Sequence, residues 1–157
     1  MADHRIHLAD PESTRAWGRS LADHLRPGDL LVLTGDLGAG KTTLTRGLGE
    51  GLGVRGAVTS PTFVIARLHP AGDRGLALLH VDAYRLGTAS EIDDLDLDLT
   101  GAVTVVEWGA GRVEHLAESH LEITLVVDGD GREATVTGLG SRWNDVSLAA
   151  LVSPGEA

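Results

Sequence analysis

The stretch GDLGAGKT at residues 35–42 matches the pattern G-x-x-x-x-G-K-[ST]. The run before it, LLVLT at residues 30–34, is continuously apolar, which is typical of a strand buried on both faces. After it, leucines recur every four residues from Leu44 to Leu52, which predicts a helix that begins near Lys41. A buried strand, a glycine-rich loop and a helix in this order predict an α/β fold with a largely parallel sheet.

The residue types of the loop suit a phosphate group. Glycines let the backbone N–H groups turn inward, and the helix points the positive end of its dipole at the same place. Lys41 is the only lysine among the 13 lysine and arginine residues. A compact ammonium fits a tightly wrapped loop better than a planar guanidinium does, so Lys41 is predicted to bind the β- and γ-phosphates and to act in catalysis. The predicted nucleotide-binding loop comprises Gly35, Asp36, Leu37, Gly38, Ala39, Gly40, Lys41, Thr42 and Thr43.

The sequence also predicts which nucleotide and which metal ion the loop binds. Guanine recognition of the N-K-x-D type needs a second lysine, which the chain lacks, so ATP is the predicted nucleotide. The Thr42 hydroxyl is a hard oxygen ligand that suits Mg²⁺. An ordinary glycine-rich turn before a helix is the alternative interpretation of the loop.

Two acidic residues end apolar strand-like runs. Asp82 ends LALLHVD and Glu107 ends VTVVE. Strand ends beside a phosphate loop are where an acid holds Mg²⁺ or orients the attacking water. A strand-end cap or a salt bridge is the alternative for each acid. His80 alternates with Asp82 and so shares its sheet face, but on its own it favours a structural role.

Further candidates lie after the loop helix and beside the acids. Ser60 and Thr62, in SPTF, are predicted to sense the γ-phosphate, and a strand-entry turn is the alternative. Arg85 is predicted to contact phosphate or to pair with an acid. Trp108 is a candidate for core packing.

Composition limits the compartment and the partners. The 157 residues suit one domain over 1–157, and we expect about ten flexible residues at its C-terminal end. The lack of cysteine excludes disulfides and thiolate chemistry. Neither a secretory signal nor an apolar run long enough to span a membrane is seen, so a cytoplasmic location without membrane contact is predicted. The net charge of −10 disfavours direct nucleic-acid binding. The acidic stretch at 91–98 is a solvated face or a docking surface.

The remaining pattern predicts further strands and helices. Residues 5–8 are predicted to form a strand. Asp10-Pro11 is predicted to begin a helix whose apolar face carries Trp17, Leu21 and Leu25, and Arg26-Pro27-Gly28 is predicted to end it. Two hairpins are predicted, one formed by residues 63–68 with 76–82 and the other by residues 121–127 with 133–138. Three more helices are predicted: one begins at Ser90, one spans 111–117 and one spans 141–152. The predicted fold class is α/β: a three-layer P-loop NTPase-like sandwich with a mixed, mostly parallel central sheet and antiparallel hairpin strands.

Four segments in order, GDLGAGKTT, SPTF, HVDAYR and VEWG, resemble the TsaE family of bacterial tRNA threonylcarbamoyladenosine biosynthesis. The resemblance runs from about residue 5 to residue 138 and is most specific in HVDAYR and VEWG. It implies a slow, partner-stimulated Mg²⁺-dependent ATPase. It also implies two partners, a threonylcarbamoyl transferase and its inactive paralogue-like companion, with tRNA engaged only indirectly.

The same resemblance implies roles for individual residues. Thr42 and Glu107 bind Mg²⁺, and Asp82 is the catalytic acid, although these two carboxylates are exchangeable in sequence terms. Trp108 lies near the nucleotide or the partner. Arg132, in GREA, lies near the nucleotide, and Thr14 lies near the adenine end. After Arg85 the chain carries the compressed, aspartate-rich stretch SEIDDLDLDLT, where the family pattern has a longer helix rich in leucine and glutamate.

Two other functions share the loop. A small-molecule kinase would need an acceptor pocket and usually a lid, and the short chain offers no evident lid insertion. A nucleotide-gated binding module would bind ATP without useful turnover.

Overall fold

The computed structural model describes residues 4–35, 39–54, 66–72, 75–82, 101–107, 117–143 and 151. Within these ranges the chain forms, in order, β1 (His4–Leu8), α1 (Pro11–Ala22), β2 (Leu30–Thr34), α2 (Lys41–Leu52), β3 (Ala66–His69), β4 (Ala77–Asp82), β5 (Ala102–Glu107), β6 (His120–Asp128), β7 (Gly131–Leu139) and a 3₁₀ turn (Ser141–Trp143).

The seven strands form one sheet in the order β1-β7-β6-β2-β5-β4-β3. Its four central strands, β6, β2, β5 and β4, are mutually parallel. Both edges are antiparallel: β3 pairs with β4, and β7 pairs with both β6 and β1. The predicted mixed sheet, parallel in the middle and flanked by hairpins, is therefore confirmed. In this arrangement the carboxyl ends of β2, β4 and β5 meet at one edge of the sheet.

Both faces of β2 and β5, in the middle of the sheet, are buried, as a layered sandwich requires. All six residues of β5 are buried. On one face, Leu31 and Leu33 join the large core formed with α1 and α2. On the other, Leu30 and Val32 belong to a second buried cluster. The helices predicted from Ser90 and over 111–117 fall almost entirely outside the described residues.

Helix α1 begins as the sequence predicts. The Asp10 carboxylate accepts a 2.7 Å hydrogen bond from the backbone N–H of Ser13, and Pro11 occupies the first turn. This hydrogen bond lowers the pKa of Asp10. Trp17 is fully buried in the core. The helix ends at Ala22, before Leu25, which is nevertheless buried in the same core.

Glycines allow α1 and α2 to approach closely. A Cβ atom on Gly47 would lie 2.2 Å from the carbonyl oxygen of Arg15, and one on Gly18 would lie 2.6 Å from the carbonyl oxygen of Leu44. Beside this contact, Arg15 donates two hydrogen bonds to Glu50, at 2.5 and 2.7 Å. Tertiary packing therefore stabilises a helix that its own glycines would weaken.

Gly47→Ala is expected to lower the free energy of unfolding by about 1–3 kcal/mol, because the new methyl group meets backbone atoms that cannot turn aside. This loss opposes the gain of about 1 kcal/mol that alanine brings to a helix. Denaturant unfolding measures it. Gly101→Ala is the control, since a Cβ atom there meets no atom within 4 Å. Equal stability of the two variants would contradict the close packing.

Two buried contacts attach later parts of the chain to this core. The Trp17 indole Nε1 donates a 2.7 Å hydrogen bond to the carbonyl oxygen of Leu151. The Arg142 guanidinium donates two hydrogen bonds to the buried Asp29 carboxylate, at 2.9 and 3.1 Å, and one to the carbonyl oxygen of His24. Residues 144–150, most of the predicted last helix, lie outside the described residues. Of the helices that the structure describes, none is long and apolar enough to cross a bilayer.

Candidate nucleotide-binding site

The two ends of the glycine-rich loop lie where β2 leaves the sheet and α2 begins. Gly35 follows β2 directly, and a Cβ atom there would lie 2.8 Å from the carbonyl oxygen of Leu125 in β6. Gly40 is the N-cap of α2 and has a φ of +102°, a left-handed conformation that glycine adopts most readily. Gly35 is therefore required because there is no room for a Cβ atom, and Gly40 because of its left-handed backbone conformation.

The amino end of α2 has the properties of an anion site. Its N-cap, Gly40, has no side chain to satisfy the first-turn N–H groups. Lys41 is the first residue of the helix and is only 6% exposed. Its Nζ donates a hydrogen bond to the carbonyl oxygen of Gly35 and so joins the two ends of the loop. Thr42 and Thr43 are half-buried in the same turn. The helix dipole and the ammonium both favour a negative charge here.

Strand register places the two predicted acids side by side. Asp82 of β4 is the direct neighbour of Glu107 in β5, and Glu107 is the direct neighbour of Leu33 in β2. Neighbouring residues in register point to the same face of a sheet, and Leu33 packs in the core beneath α1 and α2. Both carboxylates are therefore at the carboxyl edge, on the face that α2 covers. Glu107 is buried and Asp82 is half-buried.

A buried histidine contacts one of these acids. The Nε2 atom of His80 lies 2.5 Å from Oε2 of Glu107, and His80 is fully buried. His80 is the direct neighbour of Val105 in β5, and Glu107 lies two residues further along β5, so His80 reaches Glu107 diagonally across the strand pair. Sequence reasoning assigned His80 a structural role. The only sequence signal of this contact was its alternation with Asp82.

A cavity of about 240 Å³ lies beside the amino end of α2. It brings together Thr14 of α1, Arg132 of β7, and Gly40 and Thr43 of the loop, all of them predicted nucleotide-binding residues. Its lining is completed by Asp10, Pro11, Asp130 and Gly131. Thr14 is almost fully buried, and its Cγ2 lies 3.9 Å from the position of a Cβ atom on Gly40. The guanidinium of Arg132 donates a 2.8 Å hydrogen bond to the carbonyl oxygen of Gly131.

Several predicted site residues lie outside the described residues, and their predicted roles stay predictions. They are Asp36, Leu37, Gly38, Ser60, Thr62, Arg85 and Trp108. The described residues still suit the predicted metal. One hydroxyl, on Thr42, and two carboxylates, on Asp82 and Glu107, are the hard oxygen donors that Mg²⁺ prefers, and Mg²⁺ usually takes only one or two carboxylates.

A second buried histidine, His69 of β3, makes the stability of the fold depend on pH. Burial lowers the pKa of His69, and the charges of His80 and Arg67 lower it further. As the pH falls below about 6.5, the unfolded chain therefore takes up this proton before the folded chain does, and stability decreases. His69→Leu is expected to lose less unfolding free energy than the wild type between about pH 7.5 and pH 5.5. Denaturant unfolding at the two pH values measures the free energy of unfolding. An equal decrease in both proteins would contradict this role of His69.

A strand, a glycine-rich loop and a helix at the carboxyl edge of a mixed sheet define a P-loop NTPase-like α/β protein. The family model described as "Threonylcarbamoyl adenosine biosynthesis protein TsaE" matches residues 8–134. The chain therefore belongs to the TsaE family, which is involved in tRNA threonylcarbamoyladenosine biosynthesis.

Relatives and a solved structure agree with this family. The chain is 59% identical over 145 residues to the tRNA threonylcarbamoyladenosine biosynthesis protein TsaE of Streptomyces coelicolor, covering 87% of this chain and 98% of the relative. It is 47% identical over 135 residues to the protein of the same name from Mycobacterium bovis, covering 79% and 80%. The crystal structure of Bacillus subtilis YdiB superposes with a TM-score of 0.70 at 36% identity, covering 90% of this chain and 89% of the other.

Proposed function

We propose that this chain is a Mg²⁺-dependent ATPase of the tRNA threonylcarbamoyladenosine pathway. In this proposal, ATP binding and hydrolysis activate or reset a threonylcarbamoyl transferase that works with an inactive paralogue-like companion. The observation that carries it is the register of the sheet. Asp82 and Glu107 are neighbours at the carboxyl edge, on the side of α2 where Lys41 and Thr42 begin the helix.

The triphosphate would bind at the amino end of α2. The uncapped first turn offers N–H donors, and Lys41 offers a compact positive charge that is almost shielded from solvent. Electrostatic stabilisation is strongest where water is excluded. The buried ammonium of Lys41 would therefore stabilise the negative charge that develops on the phosphoryl group during its transfer.

The adjoining cavity would take the other end of the nucleotide. At about 240 Å³ it is smaller than the roughly 300–1,000 Å³ of pockets that hold whole drug-sized ligands. It therefore suits one part of ATP, with Thr14 and Arg132 against the base and sugar while the phosphates reach α2. Arg132 adds a positive charge to a wall that also carries Asp10 and Asp130.

The two carboxylates would divide the chemistry. Thr42 and Glu107 would hold Mg²⁺, which when bound offsets charge on the β- and γ-phosphates. Asp82, which is the more exposed of the two acids, would orient the attacking water or accept its proton. Lys41 would hold the γ-phosphate in line with that water. Positioning and charge stabilisation supply most of the catalysis in phosphoryl transfer, so no covalent intermediate is required.

The net charge supports a protein partner rather than direct tRNA contact. At −10, the chain repels a phosphate backbone, so the transferase pair would hold the tRNA.

ATP turnover distinguishes this proposal from the two other uses of the same loop. It is measured for the chain alone, with the purified transferase pair, and with small-molecule acceptors. The proposal expects slow turnover alone and stimulation by the transferase pair. Turnover that depends on a metabolite acceptor would identify a kinase. Partner binding and tRNA modification that survive the loss of hydrolysis in Asp82→Ala would identify a nucleotide-gated module.

A further inference from the structure

The contact between His80 and Glu107 has no role in the function proposed above. The 2.5 Å separation of Nε2 and Oε2 is that of a strong hydrogen bond to a carboxylate. Both side chains are almost completely shielded, with 0% and 7% of their surfaces exposed. A carboxylate at this depth needs a partner, and among the described residues His80 is the one whose hydrogen bond to Glu107 is observed.

The other ring nitrogen shows what orients the histidine. Nδ1 of His80 is buried, and within the described ranges no group hydrogen-bonds to it. The contact with Glu107 is therefore the polar interaction that fixes the ring, while burial fixes its position. In turn, the ring engages Oε2 and leaves Oε1 of Glu107 for another ligand. This is the geometry of a group that aims a carboxylate rather than one that reacts.

We propose that His80 is a positioning residue that holds Glu107 in the orientation needed to bind Mg²⁺. This inference rests on the proposed function, because it requires that Glu107 bind the metal. Groups that hydrogen-bond to metal ligands in this way commonly contribute about 10–100-fold to metal affinity. His80 itself touches neither nucleotide nor metal.

The test compares three variants of the full chain. His80→Leu fills the same place in the core with an apolar side chain and removes the Nε2 donor to Glu107. His80→Gln restores an N–H near the position of Nε2. His69→Leu is the matched control, because His69 is another buried histidine on the adjacent strand with an unpartnered Nε2 among the described residues. Should the leucine variant not fold, His80→Asn, whose shorter amide does not reach Glu107, replaces it. Thermal unfolding confirms folding of each variant.

The first readout is Mn²⁺ binding in the presence of a non-hydrolysable ATP analogue, followed by electron paramagnetic resonance. His80→Leu, or His80→Asn in its place, lacks the donor to Glu107, and its nucleotide-dependent Mn²⁺ affinity is expected to be about 10–100-fold weaker than that of the wild type. His80→Gln is expected to recover most of that affinity, and His69→Leu to match the wild type. The second readout is the Mg²⁺ dependence of ATP turnover. The half-saturating Mg²⁺ concentration is expected to rise in the donor-free variant, while kcat at saturating Mg²⁺ stays close to the wild-type value.

The outcomes separate this inference from the function on which it rests. Wild-type Mn²⁺ affinity in a folded His80→Leu or His80→Asn protein overturns the positioning role alone. A kcat that falls without any change in Mg²⁺ dependence also overturns it. A wild-type chain with no nucleotide-dependent Mn²⁺ site overturns the positioning role and the proposed function together.

Discussion

Lys41→Ala is expected to reduce ATP turnover by about 10²–10³-fold, the usual loss when one preorganised donor to a developing charge is removed. Nucleotide affinity should fall as well, because the lysine would contact the phosphates in the bound state and not only during reaction. The structural basis is the position of Lys41. It is buried as the first residue of α2, and its Nζ donates a hydrogen bond to the carbonyl oxygen of Gly35. Steady-state turnover and fluorescent-nucleotide titration measure the two effects.

Two further variants make the Lys41 result specific. Lys41→Arg keeps the charge but brings a broad planar guanidinium to a position where the native residue is only 6% exposed, so it should rescue little activity. Arg46→Ala removes a positive charge from the exposed face of the same helix and should leave turnover near the wild-type value. Equal effects of Arg46→Ala and Lys41→Ala would reduce the role of Lys41 to general charge.

Asp82→Asn and Glu107→Gln are expected to impair the proposed ATP turnover in different ways, although the two acids are register neighbours. Asp82→Asn should lower kcat by about 10²–10⁴-fold, the contribution of a positioned general base, with nucleotide affinity largely retained. Glu107→Gln should instead raise the Mg²⁺ concentration needed for half-maximal turnover, because an amide oxygen is a weaker ligand than a carboxylate. Turnover measured across a Mg²⁺ series separates the two patterns.

A surface acid controls for the change in charge. Asp128→Asn alters an exposed carboxylate at the end of β6 and should change neither kcat nor the Mg²⁺ dependence. If Asp82→Asn shifts the Mg²⁺ dependence and Glu107→Gln lowers kcat alone, the two roles are exchanged. If neither variant differs from Asp128→Asn, the carboxyl edge of the sheet is not the reacting centre.

Local patterns in the sequence predicted much of the described fold. The apolar run at 30–34 and the leucine spacing after Lys41 specify β2 and α2, because burial sets the side-chain period of each element. The turn residues between 121–127 and 133–138 specify the β6–β7 hairpin. The end of α1 was harder to predict, because Leu25 continues the apolar spacing beyond Ala22 and is buried without being helical.

The candidate site was predicted only where its residues are close in sequence or end neighbouring strands. Lys41 and Thr42 follow from the loop motif, and Asp82 and Glu107 follow from strand ends. The contact between His80 and Glu107 depends on the relative register of β4 and β5, which no local pattern encodes. Thr14 and Arg132 were placed at the site by family resemblance, since only the folded sheet brings α1 and β7 to the same cavity.

A crystal structure of the chain with Mg²⁺ and a non-hydrolysable ATP analogue would test the proposed nucleotide site most directly. We expect the β- and γ-phosphates at the amino end of α2, within hydrogen-bonding distance of Lys41 Nζ. We also expect Mg²⁺ beside Thr42 and one of the two carboxylates, and the base in the cavity between Thr14 and Arg132. A nucleotide bound elsewhere, with no phosphate at the first turn of α2, would contradict the proposed site.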